Sequence, residues 1–93
     1  MRLKDNEVKV IKNSILEKDN NARIYLFGSR VDDNKKGGDI DILVLSNKLS
    51  YSDTISIKRK IFDEIDEQKI DIVIKSDVKE PFIDMIYKKS IQL

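Results

Sequence analysis

The sequence predicts an α/β (α+β) fold, a small sheet flanked by helices, on three observations. Apolar residues recur at helical spacing in three separate stretches. Between them lie short apolar runs of strand length, such as Ile24-Tyr25-Leu26-Phe27 and Ile42-Leu43-Val44-Leu45. All three glycines fall between the first two such runs, where a loop must leave one strand and enter the next. At 93 residues the chain has room for one modest core, so residues 1–93 read as a single domain.

Taken in order, Val8, Ile11, Ile15 and Leu16 give a first helix over residues 6–18, with Asp5 or Asn6 as its N-cap. Asp19-Asn20-Asn21 is a turn. Residues 23–27 form a strand that is apolar on both faces and therefore central, with Tyr25 in the core. Residues 39–45 form a second strand. Ile57, Ile61, Phe62 and Ile65 share one face of a helix over residues 53–67, capped by Ser52 or Asp53. Residues 70–74, rich in β-branched side chains, form a third strand. Pro81 suits the first turn of a closing helix, with Phe82, Met85 and Ile86 as its packing face and Lys88-Lys89 at its C-terminal end.

Composition removes several functional classes. Lys and Arg number 18 against 17 Asp and Glu, a formal net charge of +1, which offers no global attraction to nucleic acid or an anionic membrane. Without Cys or His there is no thiol nucleophile, no imidazole base and no zinc site of the usual kind. Any metal must be a hard, oxygen-seeking cation. The start, Met1-Arg2-Leu3-Lys4-Asp5, is charged where a secretory leader would be apolar, and no run approaches the roughly 18 apolar residues of a membrane span. A cytoplasmic protein is expected.

Strand alternation carries the chemistry. In Asp39-Ile40-Asp41-Ile42-Leu43-Val44-Leu45, Asp39 and Asp41 share a face with Leu43 and Leu45, and Ile40, Ile42 and Val44 take the other. In Ile70-Asp71-Ile72-Val73-Ile74, Asp71 faces away from the isoleucines. If the two strands are neighbours, the three carboxylates converge, with Asp39 and Asp41 about 6.5–7 Å apart at Cα and Asp71 about 4.8 Å across. Each ionised pair at about 6 Å costs roughly 3 kcal/mol at an effective dielectric near 20. One divalent cation, or two, would offset that repulsion, and Mg²⁺ characteristically completes such a site with substrate phosphates. A nucleoside triphosphate is thus the expected ligand. Phe27-Gly28-Ser29-Arg30 supplies the complementary half: Gly28 lets a phosphate approach backbone, Ser29 adds a hydroxyl donor, and Arg30 a planar fork for phosphate oxygens.

Two other readings fail. Asp32-x-Asn34-x-Lys36-Gly37 opens like a calcium loop but has Lys36 at a ligand position and Leu43 where the bidentate Glu belongs. Neither a Walker loop nor a dinucleotide fingerprint is present.

Leu26-Phe27-Gly28-Ser29-Arg30 followed by Gly37-Gly38-Asp39-Ile40-Asp41-Ile42-Leu43-Val44 resembles the DNA polymerase β-like nucleotidyltransferase superfamily. The pattern is most similar to the minimal nucleotidyltransferases, the MntA-like antitoxins paired with HEPN-domain toxins. The likeness extends over nearly the whole chain, to a closing helix ending near Ile91, although the spacer Val31-Asp32-Asp33-Asn34-Lys35-Lys36 is more charged than in many relatives. It implies a mixed sheet with helices, a palm-like fold. It implies that Asp39, Asp41 and Asp71 ligate Mg²⁺, that Gly28 and Ser29 hold the triphosphate of ATP, and that Asp71 helps activate the attacking hydroxyl. By the same resemblance the partner is a helical HEPN protein whose tyrosine receives AMP. Two alternatives are an antitoxin that acts by occlusion alone and transfer to a small molecule.

Overall fold

A computed structural model of the chain describes residues 1–65 and 69–93. The elements in order are α1 (Asp5–Leu16), β1 (Arg23–Phe27), a 3-10 turn (Gly28–Val31), β2 (Ile40–Leu45), a second 3-10 turn (Tyr51–Asp53), α2 (Thr54–Glu64), β3 (Ile70–Lys75), α3 (Pro81–Lys88) and β4 (Ile91–Gln92). The four strands form one mixed sheet in the order β3-β2-β1-β4. β1 runs antiparallel to β2 and to β4, and β2 runs parallel to β3. The parallel pair needs a crossover, which α2 provides. The expected mixed sheet with flanking helices is therefore the fold.

Alternation sorts the side chains into two cores. On one face Leu26, Ile40, Ile42, Val44, Ile70 and Ile72 pack with Ile11 and Ile15 of α1 and Ile57 and Ile61 of α2. On the other, Tyr25, Leu43 and Leu45 pack with Ile83 and Ile86 of α3, and Tyr87 meets Tyr25 edge to face at 5.1 Å. Burying each isoleucine stabilises the fold by about 1.5–3 kcal/mol. A one-residue slip of β2 would turn Ile40, Ile42 and Val44 out and Asp41 in, so the helix-covered core dictates which face the acids occupy.

Several boundaries differ from expectation. α1 begins at Asp5 and ends at Leu16, and its N-cap is Lys4 rather than Asp5 or Asn6. The buried Glu7 carboxylate accepts the Lys4 amide at 2.9 Å, supplying from within the helix what a capping side chain would otherwise give. Asp39 lies one residue before β2. Asp53 stands at the α2 N-cap position, but its carboxylate accepts the Ser50 amide at 2.9 Å and so secures the preceding turn. Ile57, Ile61 and Ile65 are buried as expected, whereas Phe62 is exposed. Residues 66 and 67, assigned to that helix from the sequence, lie outside the described residues.

In α3 the packing face is Ile83 and Ile86, not Phe82 and Met85, which are 61% and 49% exposed. The closing helix also stops at Lys88. Ile91 instead pairs with Leu26 in β4, a strand too short to announce itself in sequence. Among the described residues no helix is long and apolar enough to cross a membrane.

At the end of β2 farther from Asp41, a buried polar knot joins β1's entry to β2's exit. Asp19 accepts the Ser46 hydroxyl at 2.5 Å and the Asn21 amide at 3.0 Å, and Ser46 Oγ accepts the Lys48 and Leu49 amides at 3.1 and 2.9 Å. The Ser46 hydroxyl, with the Asn21 amide and nearby Lys48, holds the Asp19 carboxyl below its ordinary value. Its stabilisation is complete above the ordinary carboxylate range and disappears as pH falls through the lowered value. Ser46→Ala should cost about 1–3 kcal/mol at neutral pH, measured by thermal or urea unfolding. The deficit relative to wild type should shrink in acid, as Asp19 protonates in both proteins.

Candidate active site

The parallel register of β2 and β3 places Asp41 opposite Asp71, Ile42 opposite Ile72 and Leu43 opposite Val73. Directly paired residues point to the same side of a sheet, so Asp41 and Asp71 are same-face neighbours on adjoining strands. Across the antiparallel pairing, Phe27 lies opposite Asp41. Asp41 is thus flanked by Asp71 on one side and by the last residue of β1 on the other.

Gly28 follows Phe27 with φ +78°, and a Cβ there would come within 2.3 Å of Asp41 Oδ2. Only glycine combines that left-handed backbone with that clearance. The turn and the carboxylate therefore touch: the backbone of Gly28 forms one wall of the Asp41 site. Gly38 repeats the device at the other end of the loop. Its φ is +87°, and a Cβ would meet the Ser29 hydroxyl at 2.3 Å. Ser29 is consequently pressed against the residue that leads into Asp39.

Asp39 belongs to the same electrostatic neighbourhood but is differently engaged, its Oδ2 lying 3.5 Å from Lys69 Nζ. Burial, then the negative charge of Asp71, then that of Asp39, pushes Asp41 above the ordinary carboxylate value, and Lys69 only partly opposes them. Among the described residues no three acidic side chains close into a metal-ligating group, so the expected convergence of all three carboxylates is not met: Asp41 and Asp71 are paired, whereas Asp39 lies one residue before β2 and is engaged with Lys69. That ion pair is solvent-exposed, and such pairs are worth only about 0–1 kcal/mol. A divalent cation would have only that weak partner to displace from Asp39. The oxygen donors of Asp39, Asp41 and Asp71 have the hardness Mg²⁺ requires, and their unrelieved repulsion is what a cation would remove.

Arg30 is held against the loop. Its guanidinium donates to Gly38 O at 3.2 Å and Arg2 O at 3.0 Å, so in this arrangement it fastens backbone. Sequence reasoning missed its counterpart, Arg2. The Arg2 guanidinium donates to the carbonyls of Ser29, Asp32 and Gly37, each at 2.9 Å, and its amide donates to Arg30 O at 2.8 Å. One side chain therefore gathers three carbonyls of the phosphate-loop candidate, a task suited to the planar guanidinium fork and beyond a lysine. The positive charge beside Leu3 in sequence was its only signal.

Two outcomes follow from this geometry. In metal-free buffer, Asp41→Asn should raise the melting temperature by a few degrees at neutral pH. A carboxyl whose value is raised by folding is destabilising once ionised, so the gain should vanish below the ordinary carboxylate value, where wild-type Asp41 is also neutral. Separately, Arg2→Lys should speed tryptic cleavage after Lys35 or Lys36 several-fold, read by mass spectrometry, because local opening governs cleavage of an exposed loop. Global unfolding should move little by comparison.

A scan against protein-family models matches residues 8–93 to the nucleotidyltransferase domain. A search of curated proteins returns no match. The family's chemistry is nucleotidyl transfer, consistent with paired strand acids beside a glycine-serine turn. With the match running from α1 through β4 and the sheet of the expected kind, the chain belongs to the nucleotidyltransferase domain family.

Proposed function

We propose that the chain transfers AMP from ATP, with Mg²⁺, to a hydroxyl of a protein partner, a tyrosine of a helical HEPN-type toxin, and so acts as its antitoxin. The observation that carries this reading is the register pairing of Asp41 with Asp71 beneath the Gly28 turn. Same-face carboxylates on neighbouring strands, one of them held above its ordinary carboxylate value by burial and then by the other's charge, favour a ligand that brings positive charge. Asp39, Asp41 and Asp71 would hold the cation, which when bound supplies charge compensation at the α-phosphate and at departing pyrophosphate.

The chain's own groups bind and orient. Gly28 and Ser29 would receive the triphosphate, with Arg2 and Arg30 fixing the loop that presents them. The acceptor oxygen forms a bond to the α-phosphorus as the α–β anhydride bond breaks, and pyrophosphate departs with the bonding pair. The hydroxyl proton passes to Asp71, either directly or through water. Positioning and charge placement supply most of the acceleration in such a transfer.

A second reading, occlusion without chemistry, draws on Tyr51 and Ile55, exposed at 82% and 65%. They lie where α2 begins, at the end of the sheet away from Asp41, because α2 starts after β2 has run from Asp41 to Leu45. A partner gripping that patch could be restrained without meeting the acids.

Incubating the chain with its co-purified partner, labelled ATP and Mg²⁺ separates the two. Transfer predicts label on the partner, lost by at least about 100-fold in Asp41→Asn, with the circular dichroism of the folded chain retained. Full transfer by Asp41→Asn would refute the mechanism. Neutralisation of the partner with label on neither polypeptide, unaffected by Asp41→Asn but lost in Ile55→Asp, would favour occlusion.

A further inference from the structure

Residues outside the phosphate turn and the acids bear on which nucleotide is taken. α3 runs from the far end of the sheet back to the Asp41 end, because β3 finishes at Lys75 and β4 must re-enter antiparallel to β1. Its C-terminal half therefore reaches the Gly28 turn. There a cavity of about 320 Å³ is lined by Phe27, Gly28, Val31, Asp32, Met85, Ile86 and Lys89. Phe27 is the register partner of Asp41, and Gly28 both walls the cavity and touches Asp41. Phosphate turn, acid pair and cavity are thus contiguous on one face.

Met85 is informative because helical periodicity assigned it to the core, yet it is 49% exposed and borders this hollow. We propose that the cavity seats the purine base of the nucleotide substrate, resting on the proposed function's placement of the triphosphate at Gly28 and Ser29. Four apolar side chains make a surface for a flat ring, and a thioether is well suited to lie against an aromatic system. The volume is at the lower end of that of small-molecule sites. Two opposite charges, Asp32 and Lys89, are the polar elements of the lining. Together they offer an acceptor for an exocyclic amine and a donor for a ring nitrogen, the pair of functions an adenine edge presents.

Calorimetry with the intact chain and Mg²⁺ tests this, comparing ATP, CTP and inorganic tripolyphosphate. ATP should bind about tenfold more tightly than tripolyphosphate, the increment a stacked base commonly supplies, and more tightly than CTP. Met85→Glu should erase the advantage over tripolyphosphate. Lys89→Glu, which removes the donor to the ring nitrogen, should narrow the difference between ATP and tripolyphosphate. Both positions are exposed, and melting curves verify that each variant folds. Equal affinity for ATP and tripolyphosphate in wild type, or indifference of ATP binding to Met85→Glu, overturns the base site while leaving the triphosphate reading intact. Failure of both ligands to bind overturns the two together. If Met85→Glu spares ATP affinity but abolishes labelling of the partner, the cavity belongs to the partner and the proposal is wrong.

Discussion

The structure depends on the burial of alternate isoleucines in β2 and β3. Ile40, Ile42, Ile70 and Ile72 are at most 7% exposed beneath α1 and α2, and their packing fixes strand register, since a one-residue slip would turn them out to solvent. Because strand side chains alternate, the same burial presents Asp41 and Asp71 on the opposite face, level with one another. The repulsion between the acids is small beside the combined hydrophobic gain of those isoleucines. The core can therefore hold together groups that would not associate on their own.

Around that pair the chain spends conformational freedom in a narrow region. Gly28 and Gly38 both occupy left-handed backbone, and at each the missing Cβ makes room for a polar atom of the site, Asp41 Oδ2 in one case and Ser29 Oγ in the other. Turns of this kind have little intrinsic stability, and here it comes from arginines. Arg2 and Arg30 donate across the loop to carbonyls at its start, middle and end, so a segment with few apolar anchors is held in one shape. Rigid strands thus carry the acids, and a stapled loop carries the Gly28-Ser29 turn beside them.

Much of this was legible in the residues. The β1 assignment at Arg23–Phe27 agrees to the residue, because Ile, Leu and two aromatic residues crowd a run that is too short for a helix and closed by glycine. The facing of Asp41 and of Asp71 away from the isoleucines of their strands followed from period two, and the neighbouring of β2 and β3 completes the pair. What escaped has identifiable causes. Arg2 acts on residues 27 to 35 positions away, and no local pattern encodes so distant a partner. In α3, apolar residues occupy nearly every side of a single eight-residue helix, so spacing could not choose Ile83 over Phe82 or Met85; the position of the helix over Tyr25 and Leu43 does. The N-cap at Lys4 was obscured because the group that satisfies it, Glu7, lies inside the helix. The engagement of Asp39 with Lys69 depends on where β3 begins relative to β2, a tertiary fact.

The connection between Ser29 and Gly38 has a different kind of importance. Both its ends are anchored, yet residues 32–38 are exposed. Mutational drift there can recolour the rim of the site, exchanging Lys35 and Lys36 for other charges or lengthening the span at small entropic expense, without disturbing a single core contact. Descendants of such a scaffold can diversify their clientele through this surface ribbon and inherit the acid-bearing strands unchanged.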